Sequence, residues 1–312
     1  MPKITIVTPC YFNEQNIPVF AKRIIENEKT FPPDVSFEYV LVDDGSKDNT
    51  WAELQKFHHQ YPDKVKIIKL VRNFGETNAI YAGLGYATGD CNVMIASDLQ
   101  DPPELILKMY EYWLKGFKLV LANASGREES FLQKLASDTT HSMVRKWALK
   151  KLPKGGFDLN LFDKQVRETI LKVDDKNSFF SYLLIWLGYE YVNIPYTRQK
   201  KEPGKSTYSF SKKIKNVVDS FAAFSYFPIR LISVTGLVLG LLSFMYGIYV
   251  TGEKIFGDIP ITGWTSIMVV MLFVSSFQMV ALGIIGEYVW RGLDASRKRP
   301  NYIIDKAMVN EH

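Results

Sequence analysis

The sequence predicts an α/β fold in which a doubly wound domain with a largely parallel sheet is followed by a membrane segment. Short apolar runs recur about every 25 to 35 residues through the first two hundred residues, with helical spacing between them. This alternation is typical of repeated βα units. Polar clusters directly follow three of the runs, and two long stretches near the C-terminus carry no charge. A chain of 312 residues has room for one large domain and an appendage.

The elements of the first domain follow from these patterns. The apolar runs indicate strands at Lys3–Thr8, Tyr39–Val42, Val65–Leu70, Asn92–Ala96 and Lys118–Ala122. Helical spacing covers Asn16–Lys29, a segment that starts near Asn49, and Thr77–Ala87. Cys10 and Cys91 fall in different predicted elements without metal-ligand spacing, so we expect packing residues in a reducing cytosol.

Two uncharged stretches, Leu231–Gly252 and Ile259–Gly286, each exceed the roughly 20 residues that cross a bilayer core. Buried core helices are the alternative, but charge-free helices of that length are uncommon inside soluble domains. We therefore expect two transmembrane helices, at about 229–252 and 261–287. Small residues in them allow close packing within or between chains, which leaves a homo-oligomer open: Gly236, Gly240, Gly283 and Gly286.

The charges beside these stretches orient the hairpin. Lysines and arginines flank both of its outer ends, whereas the connecting loop holds only Glu253, Lys254 and Asp258. Because positively charged flanks stay cytoplasmic, both termini and the first domain are expected in the cytoplasm. Much of the basic excess behind the net charge of +5 gathers there, where anionic headgroups attract it. We therefore expect a membrane bilayer as a partner and no nucleic acid.

These patterns divide the chain into four parts. A cytoplasmic domain covers 1–210, and 211–228 has apolar residues on one helical face, which suits a helix lying in the membrane interface. The two transmembrane helices occupy 229–290. A basic cytoplasmic tail is expected over 291–312.

The stretch Asp98-Leu99-Gln100-Asp101 follows a predicted buried strand and precedes a predicted helix. In open α/β sheets, ligands bind at such strand tips. A hard divalent cation that carries phosphates prefers carboxylate and neutral oxygen ligands, so Asp98 and Gln100 are metal candidates. Asp101 before Pro102 has instead the pattern of a helix N-cap with proline at the first position, and we expect these two residues to begin the next helix.

Two further polar clusters fall at strand tips. Asp43-Asp44-Gly45-Ser46 follows the second apolar run, and Pro9–Glu14 follows the first. Since the carboxyl ends of parallel strands share one edge, these clusters could line a crevice of nucleotide size. The alternative for the Asp43 cluster is a turn that caps the helix starting near Asn49.

Later residues give weaker signals. Arg72 could meet an anionic ligand or be a surface arginine, and Asp158 is either a loop acid or a catalytic one. A basic stretch that contains glycine carries Arg198, Lys205 and Ser206. It could hold phosphate oxygens or be a solvated linker.

Together, these motifs resemble those of the polyprenyl-phosphate glycosyltransferases of glycosyltransferase family 2, which include bactoprenol glucosyltransferases and dolichyl-phosphate mannose synthases. The resemblance runs in order through Pro9–Glu14, Asp43–Ser46, Arg72–Gly75, Asp98–Glu104, Gly156–Asp158 and Gly204–Tyr208, then the two spans. It implies a GT-A fold that binds a nucleotide sugar with Mg²⁺ or Mn²⁺. A hexose, with UDP-glucose as first choice of donor, would pass with inversion to a polyprenyl phosphate such as undecaprenyl phosphate. The resemblance places this reaction at a bacterial-type inner membrane, where the product would serve cell-envelope glycan modification.

The resemblance also implies roles for individual residues. The nucleotide-sugar contacts would be Pro9, Tyr11, Glu14, Asp43 and Asp44. Asp98 and Gln100 would form the metal site, and Asp158 would be the acceptor-side catalytic carboxylate. The lipid-phosphate contacts would be Arg198, Lys205 and Ser206. Two positions depart from the family pattern: Ala96 stands where an acid is frequent, and Lys201 where a second arginine is frequent.

Two other functions stay open. A processive polysaccharide synthase could use the same fold, although the chain has no Gln-x-x-Arg-Trp segment and two spans are few for a polymer channel. A non-catalytic membrane scaffold could retain the fold for partner binding, and the missing acid at Ala96 keeps that hypothesis open.

Overall fold

The computed structural model describes residues 1–98, 100–124, 142, 144–146, 148–153, 156–157, 159–173, 175, 179–196, 227–256 and 263–309. The chain forms two compact units. Met1–Asp219 and Pro300–His312 make the first, and Ser220–Arg299 makes the second.

The strands of the first unit are β1 (Lys3–Cys10), β2 (Ser36–Asp43), β3 (Val65–Leu70), β4 (Cys91–Met94), β5 (Leu119–Ala124), β6 (Leu159–Asp163), β7 (Tyr191–Tyr196) and β8 (Ile304–Met308). Its helices are α1 (Ile17–Glu28), α2 (Thr50–Gln60), α3 (Glu76–Tyr86), α4 (Leu105–Leu114), α5 (Lys164–Val173) and α6 (Phe180–Trp186). The second unit contains α7 (Phe227–Phe256) and α8 (Trp264–Ser296).

The eight strands form one mixed sheet in the order β7-β5-β6-β4-β1-β2-β3-β8. β6 is antiparallel to both β4 and β5, and β8 is antiparallel to β3, while the remaining pairings are parallel. The five strands that the apolar runs indicate, β1 to β5, run parallel to one another as expected. The runs did not indicate β6, β7 or β8, and two of these three strands, β6 and β8, are the antiparallel ones.

The centre of the sheet is buried on both faces, as the continuous apolar runs predict. Every residue of β4 is buried, and β2 is buried from Phe37 to Asp43. Cys10 and Cys91 are both free and lie in the hydrophobic core, which confirms that they are packing residues. Burial raises the pKa of both thiols, so they remain protonated at neutral pH.

The segment 291–312, expected as a tail, contains the end of α8 and the edge strand β8. Met308 lies opposite Ile67 in the antiparallel pairing with β3. Just beyond β3, the Val71 amide donates to the Ile303 carbonyl at 3.1 Å. The chain thus returns from the second unit to complete the sheet of the first.

The second unit is built from long apolar helices. Within the described residues, Val269–Ser296 is long and apolar enough to cross a membrane, and Leu231–Tyr246 in α7 is a shorter apolar stretch. Large apolar side chains on both helices are exposed, among them Phe244 and Met279. Of the predicted interfacial helix at 211–228, residues 211–226 lie outside the described residues.

A buried carboxylate joins three strands at the end of the sheet where the parallel strands begin. Glu38 accepts hydrogen bonds from the Thr5 hydroxyl at 2.6 Å and from the Thr88 amide and hydroxyl at 2.8 Å each. The Lys66 ammonium lies 2.7 Å away. Burial alone would raise the pKa of Glu38, but the hydrogen bonds from Lys66, Thr5 and Thr88 outweigh it and lower the pKa.

We expect Glu38→Gln to lower the free energy of unfolding by about 2 kcal/mol at neutral pH, because buried donors lose their acceptor. A carboxyl with a lowered pKa stabilises the fold above its unfolded value of 4.5 and loses that contribution as pH falls through the folded value. Chemical denaturation of the full chain in detergent at several pH values should therefore show the deficit shrinking in acid. Glu53→Gln, which removes the exposed pair with Lys56, is the control and should change little. An equal deficit at every pH would contradict this account of Glu38.

Candidate active site

The carboxyl ends of six strands share one edge of the sheet, where three predicted clusters meet. Cys10 and Asp43 are direct partners at the tips of β1 and β2, and the Asp44 amide donates to the Cys10 carbonyl at 2.9 Å. On the other side of β1, the Ile95 amide beyond β4 donates to the Val7 carbonyl at 3.2 Å. The structure thus brings the clusters that begin at Pro9, Asp43 and Asp98 to the tips of β1, β2 and β4, where β1 lies between the other two strands, as predicted.

The loop after β1 exposes two aromatic rings. Tyr11 and Phe12 are 40% and 47% exposed, and their ring centres lie 4.5 Å apart in an edge-to-face pair. Phe12 has a φ of 53°, a left-handed conformation that is uncommon for a bulky residue. Its amide donates to the Ser46 hydroxyl at 3.0 Å, which holds this strained turn against the β2 tip. The sequence singled out Tyr11 and not Phe12, because no local pattern marks a left-handed aromatic residue.

Glu14 stabilises the start of α2. Its carboxylate accepts from the Asn49 amide at 3.0 Å, immediately before that helix. The neighbouring Asn13 amide donates to the Thr50 hydroxyl at 2.8 Å. The structure therefore gives Glu14 a local structural contact, and its contact with a nucleotide stays a prediction.

Asp43 is fully buried at the tip of β2. One carboxylate oxygen accepts from the Ser46 amide at 2.9 Å, and the other has no hydrogen-bond partner and lies 3.9 Å from the Lys69 ammonium. Burial raises the pKa of Asp43 against the opposing effects of Ser46 and Lys69. An incompletely satisfied buried carboxylate of this kind is frequent at functional sites.

Asp44 and Gly45 join the tip of β2 to the loop after β3. The Asp44 carboxylate accepts from the Phe74 amide at 2.7 Å and from the Gly75 amide at 2.9 Å. Burial raises its pKa to about 6, against the opposing effect of those hydrogen bonds. At Gly45, where φ is 68°, a Cβ atom would lie 2.3 Å from the Arg72 carbonyl carbon. Both residues thus hold two loops together, a contact that the separate motifs did not reveal.

Asp98 and Gln100 lie together in the loop after β4. The Gln100 side-chain amide donates to Asp98 at 2.9 Å, and its backbone amide donates at 3.3 Å. No group of three or more His, Cys, Asp or Glu side chains that could hold a metal ion occurs in the described part of the chain. One carboxylate with a neutral amide still fits Mg²⁺ or Mn²⁺, because such ions take most of their ligands from substrate phosphates and water.

The prediction that Asp101 begins the next helix is wrong. Helix α4 begins at Leu105, and its N-cap position is Glu104, without a side-chain capping bond. Asp101 is buried, and its carboxylate accepts a hydrogen bond from the Tyr196 hydroxyl at the end of β7. A residue 95 positions away thus satisfies this carboxylate, and local sequence carries no signal for such a partner.

Four predicted site residues lie outside the described residues: Asp158, Arg198, Lys205 and Ser206. The elements next to them are described. β6 begins with Leu159, and β7 ends with Tyr196, both at the edge where the parallel strands end. The roles of these four residues stay predictions.

Comparison with known proteins identifies the family. Residues 5–167, about half of the chain, match the family described as Glycosyl transferase family 2. The chain belongs to glycosyl transferase family 2. The protein is therefore a glycosyltransferase, and its mixed α/β sheet agrees with the GT-A-like fold that the family resemblance implies.

Relatives of this family 2 glycosyltransferase match along nearly its full length. An uncharacterised glycosyltransferase of Bacillus subtilis is 34% identical over 97% of this chain and 93% of its own. The bactoprenol glucosyl transferase of Shigella phage SfV is 33% identical over 97% of this chain and 98% of its own. Among solved structures, a mannosyltransferase of Pyrobaculum calidifontis in complex with GDP-Man and Mn²⁺ is 17% identical, with a TM-score of 0.49 over 93% of this chain and 88% of its own.

Gly45→Ala tests the contact between the loops after β2 and β3. The added Cβ meets backbone atoms of Arg72 and Asn73, which no side-chain rotation can relieve. We expect the free energy of unfolding to fall by about 3 kcal/mol. Gly116→Ala is the matched control, because Gly116 also has a left-handed φ, of 96°, but nothing lies within 4 Å of its Cβ position. It should cost only about 1 kcal/mol, and equal losses in chemical denaturation would contradict the close contact at Gly45.

Proposed function

We propose that this family 2 glycosyltransferase transfers a hexose from a nucleotide sugar to a polyprenyl phosphate with inversion at the anomeric carbon. UDP-glucose is the first candidate donor and undecaprenyl phosphate the first candidate acceptor. The observation that carries the proposal is the meeting of the Pro9, Asp43 and Asp98 loops at one edge of the sheet. The full-length similarity to bactoprenol glucosyl transferases supports the choice of sugar and lipid.

The donor side of the proposed site uses the tips of β1 and β2. Pro9 and the exposed ring of Tyr11 would contact the nucleotide, and aromatic rings suit the face of a base. The buried oxygen of Asp43 that has no hydrogen-bond partner would accept a hydrogen bond from a base or ribose group. Both oxygens of Asp44 already accept backbone amides, so we assign it to holding the loop. Glu14 would act in the same indirect way, through its contact with Asn49.

Asp98 and Gln100 would hold Mg²⁺ or Mn²⁺ together with the donor's phosphates. The ion, when bound, supplies Lewis-acid stabilisation of the nucleoside diphosphate that leaves. The chain's part is to keep the Asp98 carboxylate oriented, and the two hydrogen bonds from Gln100 do this. With this arrangement Ala96 would not prevent metal binding, since one carboxylate is enough when phosphates provide the other ligands.

On the acceptor side, the family resemblance assigns Asp158 to the acceptor and Arg198, Lys205 and Ser206 to the lipid phosphate. A phosphate monoester has a second pKa near about 6, so it is already largely ionised at neutral pH. Asp158 would therefore orient the nucleophilic oxygen or take its residual proton. This is a smaller task than deprotonating a sugar hydroxyl.

We place the protein in the membrane with two transmembrane helices and with the catalytic domain and both termini in the cytoplasm. Helix α7 has 30 residues and α8 has 33, and a 30-residue helix is about 45 Å long, more than a hydrocarbon core of about 30 Å. Basic residues outside the hairpin support this orientation. The segment 211–228 would lie in the interface, near the lipid phosphate.

Product identity tests the proposed function. Purified full chain in detergent with Mn²⁺, labelled UDP-glucose and undecaprenyl phosphate should give a chloroform-extractable glycolipid. A panel of other nucleotide sugars run in parallel identifies the sugar. A polymer of high mass would instead indicate a processive synthase, and no product with any donor would indicate a scaffold. Either result would overturn the proposal.

We expect Asp98→Ala to lower the transfer rate by at least about a hundredfold, because the developing charge on the leaving diphosphate loses its main stabilisation. Asp63→Ala is the matched control, since Asp63 is an exposed carboxylate in the turn before β3. It should keep the wild-type rate. Near-normal turnover of Asp98→Ala, measured by glycolipid formation at saturating donor and Mn²⁺, would remove Asp98 from the reaction.

A further inference from the structure

A buried hydrogen bond connects the loop after β4 with the end of β7. The Tyr196 hydroxyl donates to the Asp101 carboxylate, and the two residues are 6% and 3% exposed. Both groups are polar and lie in the interior, so breaking their hydrogen bond costs free energy that hydration by solvent cannot offset. Their bond therefore restrains the relative position of the two segments strongly.

On one side, the bond fixes the loop that carries the proposed metal ligands. Asp101 follows Gln100 directly and lies three residues after Asp98. The same loop is held again at Pro103, whose carbonyl accepts from the Asn27 side chain at 3.0 Å. Asp98 lies in the same loop, just before these two contacts. A change at Asp101 therefore alters the loop that positions the Asp98 carboxylate.

On the other side, the bond fixes the last residue of β7. Tyr196 pairs with Ala124 at the carboxyl end of the parallel β5–β7 ladder. The chain then continues to Arg198, which the proposed function assigns to the lipid phosphate. One hydrogen bond thus connects the loop proposed to bind the donor's diphosphate with the segment that leads to the proposed contact for the acceptor's phosphate.

We propose that Asp101 and Tyr196 are positioning residues that couple binding of the nucleoside diphosphate to binding of the lipid phosphate. Because the bond joins the two segments, a ligand that binds best to one arrangement of them also favours the arrangement that the other ligand binds. Such coupling is reciprocal, so each ligand tightens the other by the same factor. This inference rests on the proposed function, because it takes Arg198 as an acceptor contact.

The experiment measures this factor without catalysis. UDP and undecaprenyl phosphate cannot react with each other, so both can occupy the full-length protein at equilibrium. The affinity for UDP in the presence of Mn²⁺ is titrated in detergent with and without saturating undecaprenyl phosphate. We expect the lipid to tighten UDP binding by at least about fivefold in the wild type. Inorganic phosphate at the same concentration should leave the affinity for UDP unchanged, and an equal shift from it would contradict coupling to a lipid-borne group.

Tyr196→Phe removes one oxygen and keeps the ring, so it isolates the hydrogen bond. The coupling factor should fall to within twofold of one. Tyr191→Phe is the matched control on the same strand, because the Tyr191 hydroxyl donates to the Lys151 carbonyl instead. It should keep the wild-type factor. If Tyr196 had a merely structural role, Tyr196→Phe would weaken the binding of both ligands and leave the coupling factor unchanged.

Asp101→Ala removes the acceptor of the same hydrogen bond. It should bring the coupling factor to within twofold of one, as Tyr196→Phe does, and the double variant should lose no further coupling, because both changes break the same hydrogen bond. Where Asp101→Ala fails to fold, the Tyr196→Phe measurement decides alone. A wild-type factor of one, or an unchanged factor in Tyr196→Phe, would overturn the inference.

Different results would overturn the proposed function and the coupling through Asp101 and Tyr196. A wild-type chain that forms no glycolipid and binds neither ligand would overturn the proposed function, and this inference with it. A wild-type chain that forms glycolipid but keeps its coupling in Tyr196→Phe would overturn the inference alone.

Discussion

Two backbone amides from the loop after β3, those of Phe74 and Gly75, donate to the Asp44 carboxylate at the tip of β2. The arrangement of the strand tips depends on this contact, because it fixes the loop after β3 to the tip of β2. Gly45 makes it possible, since any side chain there would meet the backbone of Arg72. The Asp-Asp-Gly-Ser and Arg-Asn-Phe-Gly motifs are therefore two halves of one structural unit. Ser46 extends this unit to the β1 tip through the Phe12 amide.

The buried acids differ between the two ends of the sheet. Where the parallel strands begin, Glu38 has a lysine and three further donors, and its pKa is lowered. At the edge where the parallel strands end, burial outweighs the hydrogen bonds of Asp43 and Asp44, and their pKa values are raised. The first arrangement stabilises the fold. The second leaves a carboxylate oxygen of Asp43 without a hydrogen-bond partner at the edge proposed to bind the nucleotide sugar.

Sequence patterns predicted the elements that depend on local chemistry. The strand Val65–Leu70 has the bounds that its apolar run indicates, and the polar clusters at Asp43 and Asp98 do lie at strand tips, those of β2 and β4 on either side of β1. Features that depend on distant partners were not predictable. The directions of β6 and β8 depend on pairings between remote segments. Asp101 has the pattern of a helix cap, yet it satisfies its carboxylate with Tyr196, because tertiary contacts override a local preference.

An experimental structure of the full chain with UDP and Mn²⁺, in which anomalous scattering locates the metal, would show directly whether the three strand tips form the nucleotide-sugar site. We expect a manganese peak at coordination distance from the Asp98 carboxylate and the uracil ring beside Tyr11. The opposite end of the sheet offers a competing cavity of about 590 Å³, lined by Lys3, Glu38 and Lys66 among others. UDP bound in that cavity, or manganese held away from Asp98, would contradict the claim that the three strand tips form the nucleotide-sugar site.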